Sequence, residues 1–109
     1  MALKANLLID QGTDFATSID VTDDDGDIVN LTGYSGAAQM RKHYTSTAQT
    51  AFIVTINASD GAVTLSMNSA TTGAIAGGRY VYDCELTSSS NVVSRLVEGI
   101  VTVNPQVTR

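Results

Sequence analysis

Four aspartates in one short segment are the strongest local candidate for chemistry in this chain. Asp23, Asp25 and Asp27 alternate as the ligands of a calcium loop do, and Gly26 permits a sharp bend. A complete EF-hand loop also needs a bidentate Glu at its twelfth position, which here, counted from Asp23, is Tyr34. The segment therefore favours an exposed hairpin turn, with a weak calcium site as the alternative and no other cofactor expected.

The remaining reactive residue types do not assemble into a catalytic set. His43 is the single histidine and Cys84 the single cysteine. A nucleophilic triad needs His beside Ser or Cys with an orienting acid, and a zinc site needs three or four ligands. Cys84 lies in an alternating apolar run, which predicts a buried, unreactive thiol. Asp83 and Glu85 share a strand face, where they are expected to be solvated or to pair with Arg95 across the hairpin. We therefore expect no enzyme and no confident metal site.

Composition and charge argue against several classes of partner. The 109 residues suit one domain, residues 1–109, with a formal net charge of −5 that would repel nucleic-acid phosphates. No run approaches the ~20 apolar residues of a membrane span. The apolar stretch 7–9 is followed at once by Asp10 and does not look like a signal peptide. We therefore expect a chain made and folded in a cytoplasm, with no nucleic-acid or membrane partner.

Short alternating segments between turn signals predict an all-β protein. A slip in the alternation between Leu96 and Val101 predicts a β-bulge at Glu98 and Gly99. The eight predicted strand segments are residues 3–9, 14–21, 28–31, 36–43, 52–57, 63–67, 80–87 and 92–103. Residues 28–31 are short, and the total is about seven strands.

Two local signals refine the fold. Residues 68–76 break the alternation and predict one helical turn capped by Asn68 or Ser69, with Ile75 against the core. Gly78 and Tyr80 begin a Gly-x-Tyr-x-Tyr phrase, which predicts a tyrosine corner whose hydroxyl bonds upstream backbone, with an ordinary core tyrosine as the alternative. The predicted fold is an immunoglobulin-like antiparallel sandwich of about seven strands with one short helical turn.

Several phrases of the chain occur in an order that resembles small immunoglobulin-like sandwich modules of tailed-phage virions. The layout is similar to that of the N-terminal domain of phage baseplate upper proteins. The phrases are Asp14-Phe15-Ala16-Thr17, Asn30-Leu31-Thr32-Gly33-Tyr34, Ala38-Gln39-Met40-Arg41, Asp60-Gly61-Ala62-Val63-Thr64-Leu65, Gly78-Arg79-Tyr80-Val81-Tyr82-Asp83 and Val97-Glu98-Gly99-Ile100-Val101-Thr102-Val103.

The resemblance implies a non-enzymatic virion protein that docks to other virion proteins in the tail or baseplate. Capsid decoration by the same module is one alternative. A second is a glycan-binding module that contacts the host surface, for which Tyr34 and Tyr44 are the plausible exposed aromatic pair.

A homo-oligomer is also expected, because such virion parts form closed rings from one repeated interface. The apolar residues Leu3, Leu7 and Ile9 precede any firm turn, and a strand of this kind at a sheet edge pairs readily with another chain. They are the predicted subunit contact.

Overall fold

A computed structural model describes residues 3–22 and 25–107 as two β-sheets packed face to face. The elements are β1 (Leu3–Lys4), β2 (Leu7–Asp10), β3 (Phe15–Asp20), β4 (Ser35–Arg41), β5 (Thr50–Ala51), β6 (Ile53–Asn57), β7 (Ala62–Met67), α1 (Ser69–Gly73), β8 (Gly78–Thr87) and β9 (Val93–Asn104).

The larger sheet has the order β1–β9–β8–β4–β5, and β2 continues beside β9 after β1. The smaller sheet has the order β3–β7–β6. The three long strands of each sheet follow the order of the two sheets of an immunoglobulin domain. The predicted all-β sandwich with one short helix is therefore confirmed.

The larger sheet is not purely antiparallel, so that part of the prediction is wrong. β1 and β2 run parallel to β9, with Leu7 opposite Val101 and Ile9 opposite Val103. The chain then crosses to the smaller sheet at residues 11–13, where the Thr72 hydroxyl of α1 donates to the Thr13 carbonyl at 2.7 Å. Parallel strands cannot be joined by a tight turn, and here six strands and one helix lie between β2 and β9 along the chain.

The inward faces of the strands form one apolar core. Alternation places Val63, Leu65 and Met67 of β7 in that core, each at most 2% exposed. Phe52 makes an edge-to-face contact with Tyr82, with ring centroids 6.0 Å apart. The core otherwise depends on aliphatic side chains, as expected for a chain without Trp.

Two features of the terminal strands differ from expectation. The predicted first strand is broken between Lys4 and Leu7, and the extra residue of β9 is Leu96 rather than Glu98 or Gly99, since Cys84 pairs with Val97 and Glu85 with Arg95.

Gly99 has another role. A Cβ atom there would collide with the Ala5 carbonyl oxygen, so the glycine admits the backbone that joins β1 to β2.

The other local predictions are mixed. Residues 28–31 form no strand: they contribute a single bridge, between Thr22 and Ile28, and the fully buried Leu31. The helical turn is confirmed, because the Asn68 side chain accepts a hydrogen bond from the Thr71 N–H at 2.8 Å and caps α1. Ile75 lies in the core, as predicted.

Candidate functional site

The acidic segment lies partly outside the described residues, which include neither Asp23 nor Asp24. Asp25 and Asp27 are exposed, and Gly26 has φ +84°, which suits a tight turn. Within residues 3–22 and 25–107, no three His, Cys, Asp or Glu side chains lie close enough together to hold a metal ion. The weak calcium site stays a prediction.

No helix within residues 3–22 and 25–107 is long and apolar enough to cross a membrane.

Cys84 is fully buried on the inward face of β8, as its alternation predicts. Burial raises the pKa of its thiol to about 11, and the charges of Asp83 and Glu85 act in the same direction. A thiolate is therefore strongly disfavoured at neutral pH, and nucleophilic attack needs the thiolate. His43 lies in the exposed loop after β4.

Two tyrosines on the inward face of β8 use their hydroxyls to hold different parts of the chain. The Tyr80 hydroxyl donates to the Ala76 carbonyl at 2.6 Å, four residues upstream, and Gly78 begins the strand with φ +143°. The Tyr82 hydroxyl donates at 2.6 Å to the carbonyl of Ala5, in the break between β1 and β2. Burial is the larger cause and the charge of the nearby Cys84 the smaller one, and together they raise the pKa of Tyr82 to about 12.

The role of Tyr82 was not foreseen from the sequence. Its position on a buried face did carry one signal, because a buried phenol needs an acceptor. The acceptor itself is distant in sequence.

The three residues of the predicted subunit contact differ in how exposed they are. Ile9 is fully buried in the core of its own chain, so its side chain is not exposed on the surface of this fold. Leu7 is half-buried against the same core. Leu3 is 54% exposed and remains accessible. The subunit contact stays a prediction.

The outer face of the larger sheet carries paired charges. Arg95 lies 3.5 Å from Asp83 and 2.9 Å from Glu98, and Lys4 lies 3.9 Å from Glu98. The expected pairing of Asp83 with Arg95 across the hairpin is confirmed. A shallow groove of about 140 Å³ crosses this face, and the 83% exposed Tyr44 lines one side of it.

An apolar strip runs across three strands of the same face. Val81 of β8 is directly opposite the exposed Ile100 of β9, and the exposed Leu8 of β2 is opposite Thr102, diagonal to Ile100. Arg41 is opposite Val81 on the next strand. An apolar centre with a charged border is the usual anatomy of a protein–protein interface.

The outer face of the smaller sheet is different in kind. Its three cross-strand rows are Ala16–Ser66–Ile53, Ser18–Thr64–Thr55 and Asp20–Ala62–Asn57. Asp20 is the one charged side chain in these rows. The Ser18 and Thr64 hydroxyls are hydrogen-bonded at 2.9 Å.

A second groove, of about 390 Å³, opens between the two sheets at the end of β3. It is lined mainly by apolar side chains, among them Leu3, Val21, Tyr34 and Leu96. Tyr34 and Tyr44 therefore line separate grooves and do not form the aromatic pair considered for a glycan site.

Comparisons with known proteins identify the fold and no family. No protein-family model matches this chain, and no curated protein sequence matches it significantly. Among solved structures 140 chains match, one of them an internalin-like protein of Listeria monocytogenes. That structure aligns with 94% of this chain at a TM-score of 0.51 and 13% identity, and the alignment spans 28% of its own length. So distant a likeness shows the fold alone, and one fold serves many functions.

Proposed function

We propose that this chain is a non-enzymatic structural protein of a tailed-phage virion, a docking or adaptor module of the tail or baseplate. The apolar strip of Leu8, Val81 and Ile100 carries the proposal. Leu8 and Ile100 are exposed and Val81 between them is half-buried. Apolar side chains on adjacent strands mark an interaction surface when charged residues border them. Here Arg41 lies at one end of the strip, and Asp83 and Glu98 lie one row away.

The phrases that resemble phage modules also support the proposed function, because they form turns and strands that position the apolar strip. Gly33 and Gly61 adopt φ of +84° and +60°, which favours glycine at those two turns. The phrases at Gly78–Thr87 and within Val93–Asn104 form the hairpin that presents Val81 and Ile100. The residues that carry the resemblance therefore shape the scaffold of the proposed docking surface.

Capsid decoration is the closest alternative, because it would use the same strip on the head of the particle. Glycan binding is favoured by one observation, the exposed Tyr44 beside the polar groove of Gln39, Arg41 and Asp83. An aromatic ring next to planar polar groups is a plausible sugar platform. The ion pairs of this groove already engage Asp83, which makes glycan binding the weaker alternative.

The experiment compares two exposed isoleucines in a phage that carries the gene. Ile100→Lys places a charge in the apolar strip, whereas Ile28→Lys places the same charge on a residue 60% exposed in the loop after β3. We expect Ile100→Lys to reduce incorporation into virions at least about tenfold, which corresponds to ~1.4 kcal/mol of binding free energy. Ile28→Lys should assemble normally.

Immunogold labelling of purified particles decides the location. Label on the tail or baseplate supports the proposal, and label on the head favours capsid decoration. A protein absent from the particle overturns the proposal. Loss of binding to host polysaccharide in Tyr44→Ala, with normal assembly of Ile100→Lys, would favour the glycan-binding module instead.

A further inference from the structure

We propose that the open edge of β3 pairs with the same strand of a second copy of this chain. This inference rests on the proposed function, because it names one partner and one surface for assembly. β3 is an edge strand of the smaller sheet, and within the described ranges no strand pairs with its outer side. Exposed edges of this kind pair with other strands unless they are blocked.

The direction of the backbone groups along β3 follows from one hydrogen bond. The Val21 N–H donates to the Gly61 carbonyl at 2.7 Å, and this pair lies two residues beyond the pair of Ile19 with Val63, so both are hydrogen-bonded pairs. Hydrogen-bonded and non-hydrogen-bonded pairs alternate along an antiparallel ladder. The backbone groups of Ala16, Ser18 and Asp20 therefore point away from β7, towards the open edge.

Of the usual blocking devices, β3 carries one, the charged side chain of Asp20 at its C-terminal end. β3 keeps an unbroken register with β7 over six residue pairs, without a bulge. The strand contains no Lys, Arg or Pro, which are residues that discourage edge pairing.

The other edges are shorter or partly engaged. β5 has two residues, and β1 and β2 are separated by a break. At the two ends of β6, the Phe52 N–H donates to the Ala38 carbonyl and the Ala58 carbonyl accepts from the Leu31 N–H. β3 is the longest edge that remains open in the described part of the chain.

A second copy pairs with this edge better in one register than in the two alternative registers with axes at Asp20 or Ala16. With a twofold axis at Ser18, Ser18 faces the same residue of the second copy, and Ala16 faces Asp20. These three pairs exchange two hydrogen bonds each, about six in total. An axis at Asp20 would bring two like charges together, which destabilises a cross-strand pair. An axis at Ala16 would leave fewer pairs.

The same register also brings the inward-facing side chains of β3 opposite those of the second copy. It places Phe15 opposite Val21 of the second copy, and Thr17 opposite Ile19. All four side chains are half-buried in the single chain. Val21 lines the apolar groove at the end of β3. Aromatic and β-branched residues form favourable cross-strand pairs, so the dimer buries apolar surface that one chain leaves partly exposed.

The net charge of −5 on each copy opposes association. The hydrogen bonds and the apolar pairs lie within the edge, whereas this repulsion is spread over the surface and is screened by salt. The dimer should therefore become tighter as the salt concentration rises, unlike an association held together by surface ion pairs.

Sedimentation velocity of the whole protein tests the inference. We expect a monomer–dimer equilibrium that Ser18→Lys weakens by at least about tenfold in Kd, because two lysines then face each other across the axis. Thr55→Lys is the matched control, since it makes the same charge change in the same row of the same face, on β6. Nonspecific association would respond equally to both variants.

Cross-linking gives a second readout that does not depend on a lysine variant. Ser18→Cys should form an intermolecular disulfide under mild oxidation, because hydrogen-bonded antiparallel pairs place their Cα atoms ~5.5 Å apart, within disulfide range. Thr55→Cys should not. Cys84 is buried and does not compete.

A wild-type protein that stays monomeric at high concentration and high salt overturns the inference. So does a dimer that Ser18→Lys and Thr55→Lys affect alike. Labelling of the protein on the virion in either case would leave the proposed function standing, with a partner other than a second copy at the β3 edge.

Discussion

Each sheet of the sandwich has an exposed outer face and two edges, and the two sheets differ in the charges on the face and in the strands at the edges. The larger sheet carries ion pairs around Arg95 beside the apolar strip on its outer face, and it gains β1, β2 and β5 beside its three long strands. The smaller sheet has an almost uncharged face of small side chains, and β3 forms one open edge. The larger sheet therefore gains short strands on both sides from within the chain, whereas in the described residues β3 of the smaller sheet keeps an open edge.

The largest expected effect is on the free energy of unfolding, and it distinguishes two isoleucines on edge strands. Ile9 of β2 is fully buried, and Ile53 of β6 is 55% exposed. Ile9→Ala should lower the free energy of unfolding by about 2–5 kcal/mol, because it leaves a cavity in the core. Ile53→Ala should change it by less than about 0.5 kcal/mol. Urea unfolding measures both, and equal losses would show that Ile9 is no more a part of the core than Ile53.

This result also bears on the N-terminal segment as a whole. Removal of residues 1–10 exposes the side of β9 that Leu7 and Ile9 cover, so it should destabilise the chain rather than only weaken oligomers. A truncated protein that melts like the wild type would contradict this account.

The next effect is a loss of stability in alkali. The pKa of Cys84 rises from 9.0 to about 11 in the folded chain. Between these values the unfolded chain has lost a proton that the folded chain keeps, so stability is full below pH 9 and falls as the pH rises towards 11. Tyr82 adds a similar decline between pH 10 and about 12. Urea midpoints across this range should fall less steeply in Cys84→Ala, and an unchanged slope would mean that the thiol is not buried.

A smaller effect separates the two tyrosines of β8. Tyr80→Phe and Tyr82→Phe each remove one hydrogen bond, with an expected cost of about 0.5–1.5 kcal/mol. Tyr80→Phe should lie at the low end, since its acceptor Ala76 is exposed and can bond to water. Tyr80→Ala should also cost less than the 3–5 kcal/mol of a fully buried ring, because Tyr80 is only half-buried.

Hydrogen exchange adds a local readout to this pair. Tyr82→Phe should accelerate exchange in residues 3–7, because it frees the Ala5 carbonyl, and Tyr80→Phe should not. Equal exchange in both variants would show that Tyr82 does not hold the break between β1 and β2.

The smallest effect concerns the charged face. The hydrogen bond to Glu98 and the charge of Asp83 raise the pKa of Arg95. Arg95→Gln should lower the melting temperature slightly at low salt, and the difference should vanish near about 1 M salt, where the Debye length is ~3 Å. Arg79→Gln on the same face is the control, as no described residue forms an ion pair with Arg79. Identical behaviour of the two variants would show that the ion pairs do not stabilise this face.

The sequence by itself determined the features that depend on neighbours along the chain. Alternation identified the buried faces of β7 and β8, the burial of Cys84, and the pairing of Asp83 with Arg95 across a hairpin. The break in that alternation located α1 and limited its cap to Asn68 or Ser69, of which the structure shows Asn68. These features follow from the period of a strand and from capping chemistry, both of which act over a few residues.

Only the tertiary structure decided which strands became neighbours. It placed β1 and β2 parallel to β9, fitted Ala5 over Gly99, moved the bulge to Leu96 and left the edge of β3 open. Nothing in the alternation of a strand distinguishes an edge from a centre, because the side chains face the core in the same way in both. The difference lies in the backbone groups, whose partners depend on contacts between distant parts of the chain.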